Sequence, residues 1–261
     1  RQIGPRLLRR PLEEADVAPR VAAAGGAATE LSDFYAGAEL VVSSLLVSPD
    51  FLFRIEAVES VEEGANAGEP LRLTEASLAS RLSYLLWNAG PDEALLASVE
   101  ANALSDPEVL AREIDRMIAS PRFEAGVRAF FDDLFQFDAF DELGKDPIRY
   151  PIYSAKVAAD AREQTLRTVV DHLVTQDGDY RALFTTRRTF MTRVLGPVYA
   201  LPVRTETGWE AIELPASGPR AGLLAHASFN MLNAHPGRSS PTLRGVFLRE
   251  SLLCQNVPPA P

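Results

Sequence analysis

The chain has 261 residues, of which 46% are hydrophobic, and carries a formal net charge of -10 at pH 7. A chain of this length buries roughly 75% of the surface that its unfolded form exposes, which predicts a full hydrophobic core. The negative charge argues against a nucleic-acid partner, because binding to phosphates depends on lysine and arginine. No apolar run approaches the roughly 20 residues that a membrane-spanning helix needs, so no membrane span is expected.

The single cysteine and the two chain ends limit the chemistry further. Cys254 alone cannot form an internal disulfide or the two-cysteine attachment site of a c-type haem. We interpret it as a buried apolar residue, or as half of a disulfide whose partner lies outside this chain. The sequence starts at Arg1 and stops in residues 257–261 (VPPAP), which suggests a fragment of a longer polypeptide, produced for example by proteolysis.

Helical periodicity dominates the first part of the sequence. Residues 31–47 form an apolar-faced segment that ends near Pro49. Thr74 is the expected N-cap of a second segment, which runs to Trp87. Residues 88–92 (NAGPD) then interrupt the helical pattern.

Two helices are predicted in tandem after residue 104. Residues 105–108 (SDPE) open an amphipathic stretch to Ala119, and residues 120–122 (SPR) open another to Phe137. Each start places a capping residue before a proline at the first helical position. The second stretch carries a broad apolar stripe that should face a core, formed by Phe123, Val127, Phe130, Phe131, Leu134 and Phe135.

The second half combines helices with one irregular region. Residues 154–175 give the longest helix candidate. Prolines and glycines divide residues 197–219 into short pieces, among them the β-leaning piece 209–214, which predicts a loop or a small hairpin. Helix is expected again over residues 220–232, and a last helix over residues 240–255.

These patterns predict a mainly α fold, a bundle-like globular domain of many helices with the Pro/Gly-rich loop or small hairpin around residues 197–219. Three regions are expected. Residues 1–70 would form an N-terminal helical region that packs on a missing upstream segment. Residues 71–196 would form a central helical region, and residues 197–261 the loop and two C-terminal helices.

Several short phrases are specific in combination. They are residues 9–12 (RRPL), 48–56 (SPDFLFRIE), 79–87 (ASRLSYLLW), 91–93 (PDE), 220–224 (RAGLL) and 240–247 (SPTLRGVF). The set resembles the bacterial domain-of-unknown-function families 1595, 1592 and 1588, in that order, which are known from planctomycete- and myxobacterial-type exported proteins. The resemblance covers nearly the whole chain.

The resemblance implies a place in a multi-domain exported protein, periplasmic or extracellular, that often has c-type cytochrome-like regions elsewhere. It transfers no catalytic residue. The expected partners are the remainder of the same polypeptide or a companion chain, and a c-type cytochrome. No cofactor is expected in this chain, and any haem c would be carried by a missing segment or by a partner.

Arg81 lies within an otherwise apolar helical pattern and is expected to need a carboxylate partner. Removing an unpaired charge from water costs several kcal/mol, so a buried arginine is normally paired. Asp92 and Glu56 are the candidate partners. The sequence therefore predicts a structural ion pair at Arg81.

The region from His226 to Arg244 gathers the residues with the greatest potential for chemistry. The candidate ligand-binding residues are Arg238, Ser239, Arg244 and His226, and the candidate catalytic residues are His235 and Ser240. A serine-capped helix with nearby arginines can hold a carboxylate or a phosphate. His235 would act as the acid or base, since a histidine titrates near neutral pH. Simple helix capping and internal arginine pairing explain the same pattern.

Other reactive constellations are weak. The three histidines His172, His226 and His235 lack metal-ligand spacing, so no metal site is predicted. The acidic run from Asp132 to Asp146 does not have EF-hand spacing and is interpreted as a solvated face. There is no glycine loop for phosphates and no nucleophile elbow.

Two functional hypotheses follow. The first is a structural or interaction module of a larger exported protein associated with c-type cytochrome-like domains, serving periplasmic electron transfer. The alternative is an enzyme or an anion-binding protein with its site around His235, Arg238 and Ser240.

Overall fold

The computed structural model describes residues 3–60 and 71–258, and the chain folds into two compact units, residues 1–126 and 127–261. Both units are mainly helical, which confirms the predicted fold class. No helix within the described residues is long and apolar enough to cross a membrane. The three regions expected from the sequence, with an upstream packing partner for the first, stay a prediction.

The N-terminal unit is built from seven complete helices of the described residues and one small hairpin. The helices are α1 (Gly4–Leu8), α2 (Glu14–Glu30), α3 (Phe34–Leu46), α4 (Pro49–Leu52), α5 (Glu75–Trp87), α6 (Glu93–Glu100) and α7 (Pro107–Ile118). The strands β1 (Val58–Ser60) and β2 (Leu71–Leu73) pair antiparallel. Helix α8 (Phe123–Leu134) starts in this unit and continues into the next.

The C-terminal unit surrounds the long helix α9 (Ala155–Val170), whose end widens into a π-helical turn at Asp171–Thr175. The other helices are α10 (Gly196–Tyr199), α11 (Ala227–Leu232) and α12 (Pro241–Phe247), which a second π-helical turn extends to Leu252. Short 3-10 segments are Phe137–Glu142, Tyr180–Phe184 and Leu223–Ala225. Strand β3 (Arg188–Met191) pairs with β4 (Glu210–Glu213), and β5 (Ala234–His235) with β6 (Arg238–Ser239).

Most predicted helix starts are confirmed because capping is local. The side chain of Thr74 accepts a hydrogen bond from the Ser77 amide at 3.3 Å. Asp106 and Ser154 cap α7 and α9 in the same way, and Ser240 accepts from the Leu243 amide at 3.2 Å. Each cap satisfies an amide that the helix itself leaves unpaired.

Helix α2 was not predicted from the sequence. It contains Pro19, Gly25 and Gly26, and none of its residues is buried, so it lacks the apolar stripe that indicates a helix. Its position depends on α3, because a Cβ at Gly37 would lie 2.5 Å from the Ala24 carbonyl oxygen. Such close backbone approach is possible only with glycine.

Other element boundaries also differ from the prediction. Helix α8 begins at Phe123 rather than at residue 120. The stretch 220–232 is helical only in the 3-10 turn Leu223–Ala225 and again from Ala227, because Gly222 has a φ of 67° that no right-handed helix allows and His226 is extended. The β-leaning piece does form β4, but its partner is β3, which lies before residue 197 and was not predicted.

The hydrophobic core of each unit buries only part of the apolar residues that the sequence predicted to be buried. In the N-terminal unit Trp87 is 2% exposed and its Nε1–H donates to the Met117 carbonyl at 2.9 Å. In the C-terminal unit Phe131 and Phe135 of the predicted stripe are buried, whereas Phe130 is 52% exposed. The stripe predicted for α8 is therefore correct on one side and too broad on the other.

Arg81 forms the predicted ion pair, with Glu56 as its partner. Its Nε and Nη2 donate to the two carboxylate oxygens at 3.0 and 2.6 Å. The assumption of burial is wrong, since the Arg81 side chain is 56% exposed. Asp92, the other candidate, pairs instead with Arg116 at 2.8 Å.

We therefore expect the variant Arg81→Met to change the free energy of unfolding very little, because exposed ion pairs contribute little. Urea denaturation of the whole chain measures this. The variant Arg116→Met is the matched comparison, since Arg116 also bonds to Glu113 and lies over the Trp87 ring. A larger loss for Arg81→Met than for Arg116→Met would contradict the prediction.

Candidate functional site

The main candidate site is a cleft of about 630 Å³ that lies entirely within the C-terminal unit. Its cationic residues are Lys145, Arg149, Arg220 and Arg244. Its remaining lining is mainly apolar or aromatic: Tyr150, Pro151, Ile152, Tyr153, Val157, Pro197, Val198, Leu224, Ala225, Ala227, Met231 and Ala234, together with Asn230 and Ser239. The volume is typical of pockets that hold small organic ligands.

The charged side chains that are described in this cleft are all cationic. The described residues that line it include no aspartate and no glutamate. Among residues 3–60 and 71–258, none of its four cations has a carboxylate within the 4.0 Å that defines an ion pair. The protein as a whole carries a net charge of -10, so a local group of unpaired cations runs against the overall charge. Such a cleft attracts anions.

Lys145 is partly buried at the edge of the cleft and bonds to backbone carbonyl groups. Its Nζ donates to the carbonyl oxygen of Ala234 at 3.0 Å and lies 3.4 Å from that of His235. Burial lowers the pKa of this ammonium below its usual value, because removal from water disfavours the charged form. An anion in the cleft would offset that loss of solvation.

The Arg220 side chain lies against the ring of Tyr199, which hydrogen bonds hold in place. Its guanidinium lies 4.5 Å from the centre of the Tyr199 ring, at cation-π distance. The Tyr199 hydroxyl donates to Gln164 Oε1 and accepts from the Ala227 amide, both at 2.7 Å. Burial raises the pKa of Tyr199 to about 12, so the phenol stays neutral. The stacked cation is thus positioned before any ligand binds.

The chain reaches Arg220 through a turn that only glycine allows. Gly222 has φ 67° and ψ 173°, a backbone region essentially restricted to glycine. Its amide donates to the Thr186 carbonyl at 2.7 Å, and a Cβ would overlap the carbonyl group of Phe184. The backbone of this turn therefore explains the glycine in the motif RAGLL, residues 220–224.

Three family models match the chain. PSD5, a protein of unknown function (DUF1595), matches residues 1–56, and PSD4, a protein of unknown function (DUF1592), matches residues 73–201. PSCyt3, a protein of unknown function (DUF1588), matches residues 220–261. The three matches follow one another along the chain in this order. The predicted resemblance is confirmed, and no curated protein and no solved structure matches the chain.

The cleft is shared by two of these family segments. Lys145, Arg149 and Val157 belong to the DUF1592 segment, whereas Arg220 and Arg244 belong to the DUF1588 segment. These two arginines lie in two of the six motifs that carried the resemblance, residues 220–224 and 240–247. The cleft therefore requires the DUF1592 and DUF1588 segments to pack together within the C-terminal unit.

The hairpin of β5 and β6 separates the predicted site residues. Ala234 pairs with Ser239, and His235 pairs with Arg238. Successive residues of a strand point to opposite sides. Accordingly, Ala234 and Ser239 line the cleft, whereas His235 and Arg238 line a neighbouring depression that the cleft meets at Arg149.

The predicted set is therefore brought together only in part. Ser239 and Arg244 lie in the cleft. Ser240 is buried and caps α12, so its hydroxyl serves the helix. Sequence reasoning missed Lys145, Arg149 and Arg220 as site residues. A signal was present, because Lys145 is one of only two lysines and Arg220 begins a family phrase.

His226 does not face a ligand site. It is 1% exposed, and its Nδ1 and Nε2 lie 2.9 and 3.3 Å from the hydroxyl oxygens of Thr165 and Thr189. Thr165 also contacts the Ser228 hydroxyl at 2.6 Å. Burial, followed by the nearby charge of Arg220, lowers the pKa of His226 to about 4. The side chain is a neutral member of a buried hydroxyl network.

The acidic run does not converge on one point. Asp132 pairs with Arg162 at 2.7 Å, and Asp146 accepts from the Ile148 amide at 2.8 Å. Over the part of the chain that the structure describes, no three His, Cys, Asp or Glu residues are grouped for a metal ion. These carboxylates serve arginine pairing and turn formation.

Cys254 is exposed, so the interpretation as a buried apolar residue is wrong. It follows the last helical turn and has a positive φ of 51°. Covalent attachment of a c-type haem requires two cysteines, and the sequence contains one. The residues of this chain do not fit such a haem.

Proposed function

We propose that this chain is a ligand-binding and interaction module of a larger exported polypeptide, and that its C-terminal unit binds a small organic anion in the cleft. The observation that carries the proposal is the set of four cations without carboxylate partners among the described residues. Positioned cations in a partly water-excluded cleft bind carboxylates or phosphates more strongly than exposed cations do.

The cations differ in the contribution that we expect from each. Arg220 is stacked on Tyr199 and Lys145 is tied to two carbonyl groups, so neither loses much side-chain freedom when an anion binds. Arg149 is exposed and lies where the cleft and the His235 depression meet. Arg244 projects from α12 and is half-buried. Among the arginines, Arg220 should therefore contribute most to affinity, and the half-buried Arg244 more than the exposed Arg149.

The association with cytochrome-like proteins is supported by the family name PSCyt3 and by the resemblance to exported polypeptides. Within this proposal the module is periplasmic or extracellular, and haem c is carried by another segment or a companion chain. Purification of the native protein should then recover a haem-containing polypeptide with this chain. Recovery of this chain free of any haem partner would contradict that part of the proposal.

The alternative of catalysis by His235 and Ser240 gains no support from the geometry. His235 lies in the neighbouring depression, and the Ser240 hydroxyl is engaged as an N-cap. Binding is therefore the function that the arrangement favours.

We expect Arg220→Met and Arg244→Met each to weaken anion binding about tenfold or more, because each removes a charge-assisted hydrogen-bond donor. Isothermal titration of the whole chain with phosphate, citrate, benzoate and octanoate provides the measurement. Arg193→Met is the matched control, since Arg193 is exposed in the same unit and does not line the cleft.

The control separates local recognition from the net charge of the protein. All three variants change the charge by one, so an effect of net charge alone would be equal in each. Failure of every anion to bind the unaltered chain would reject the function, as would equal losses in all three variants.

A further inference from the structure

We infer that the ligand of the cleft is an amphiphilic anion: a carboxylate or comparable head group joined to an apolar body several carbons long. This inference rests on the proposed function and specifies its ligand class. The cleft combines an apolar surface with cationic side chains. The apolar surface disfavours a small inorganic anion, and the cations disfavour a neutral apolar ligand.

The floor of the cleft is a fixed apolar surface. Val157 of α9 and Ala227 of α11 are buried members of one core cluster, 2% and 4% exposed. Val198 and Met231 pack against the same cluster while they also line the cleft. Val157 and Ala227 cannot turn away from the cleft without disrupting the core, so the floor stays apolar. An inorganic anion would leave this floor in contact with water.

The cationic residues enter the cleft from three separate segments of the chain. Lys145 and Arg149 precede α9. Arg220 precedes the 3-10 segment Leu223–Ala225, and Arg244 lies on α12. A neutral apolar ligand would cover these cations without satisfying them, and covering an unpaired charge is costly. Only a ligand with both an anionic group and an apolar body satisfies the whole lining.

The floor also includes a side chain that adapts to different ligand shapes. Met231 is unbranched and polarisable, and such side chains fill irregular gaps. The nearby Leu224 and Ile152 extend the apolar lining. We therefore expect selectivity for the combination of charge and chain length rather than for one particular carbon skeleton.

A homologous series of ligands tests the inference on the unaltered chain. Isothermal titration with the straight-chain carboxylates from acetate to decanoate should show affinity that rises up to about fourfold for each added methylene until the floor is covered. The matching primary alcohols supply the same apolar body without the charge. We expect octanol to bind at least about tenfold more weakly than octanoate.

Two variants separate the contributions of floor and cations. Met231→Gln keeps a similar size but places an amide on the floor, and should reduce octanoate affinity several-fold while butyrate affinity changes little. Arg244→Met should weaken both carboxylates. Thermal unfolding of each variant establishes that the chain is folded.

The outcomes distinguish the inference from the function on which it rests. Saturable carboxylate binding with no dependence on chain length would overturn the inference and leave anion binding in place. Equal binding of octanol and octanoate would overturn both, because the cations would then have no role. Absence of binding by every carboxylate in the series would also reject both.

Discussion

Replacement of Gly222 by alanine is expected to destabilise the protein by roughly 3 kcal/mol or more. The φ of 67° and ψ of 173° at this position are essentially restricted to glycine, and holding another residue there costs about 1–3 kcal/mol. The added Cβ would also overlap the carbonyl group of Phe184. Relief of that overlap requires movement of the segment that leads to Arg220, so ligand binding should weaken as well.

Gly245→Ala is the matched control for this substitution. Gly245 lies within α12, and a Cβ there would meet no atom within 4 Å. Alanine is favoured over glycine in a helix by about 1 kcal/mol, so this variant should be as stable as the parent or more stable. Urea denaturation of both variants gives the comparison. Equal stability of Gly222→Ala and the parent would show that the turn is not required.

Acidification is expected to destabilise the fold through His226. Its pKa is lowered to about 4 in the folded protein from 6.5, so the unfolded chain takes up the proton first. The stabilisation is complete well above pH 6.5 and is lost progressively as the pH falls towards 4. The free energy of unfolding should therefore drop by about 2 kcal/mol between pH 8 and pH 5.

A substitution assigns this loss to one histidine. His226→Gln should lower stability at pH 8, because the hydroxyl groups of Thr165 and Thr189 lose a ring partner, but should flatten the pH dependence. His235→Gln is the matched control, because His235 lies outside the buried hydroxyl network of His226. Urea denaturation at pH 8, 7, 6 and 5 measures the slopes. A parental slope in His226→Gln would refute the assignment.

The sequence predicted helix starts correctly because their physical cause is local. The caps at Thr74 and Ser154 were predictable because one side chain bonds an amide two or three residues later. Burial was less predictable. Arg81 found its partner at Glu56, but on the surface, since the same periodicity describes a helix face whether or not another element covers it.

The site could be predicted only in outline. Ser239 and Arg244 were among the candidates, but His226 was not separable from them, because a buried histidine and a ligand-binding histidine look alike in a sequence. The separation of His235 from Ser239 follows from the two-residue strands of the hairpin. Strands that short leave no alternating pattern to detect.

The sequence by itself determined the mainly helical class, most helix starts and the order of the three families, because these depend on neighbours along the chain. Tertiary structure alone decided where the unpaired cations meet. Lys145 and Arg244 are far apart in sequence and share a cleft only because α9, α11 and α12 bury their apolar faces within one unit. Burial gathers residues by the shape of the core, and no local pattern records that shape.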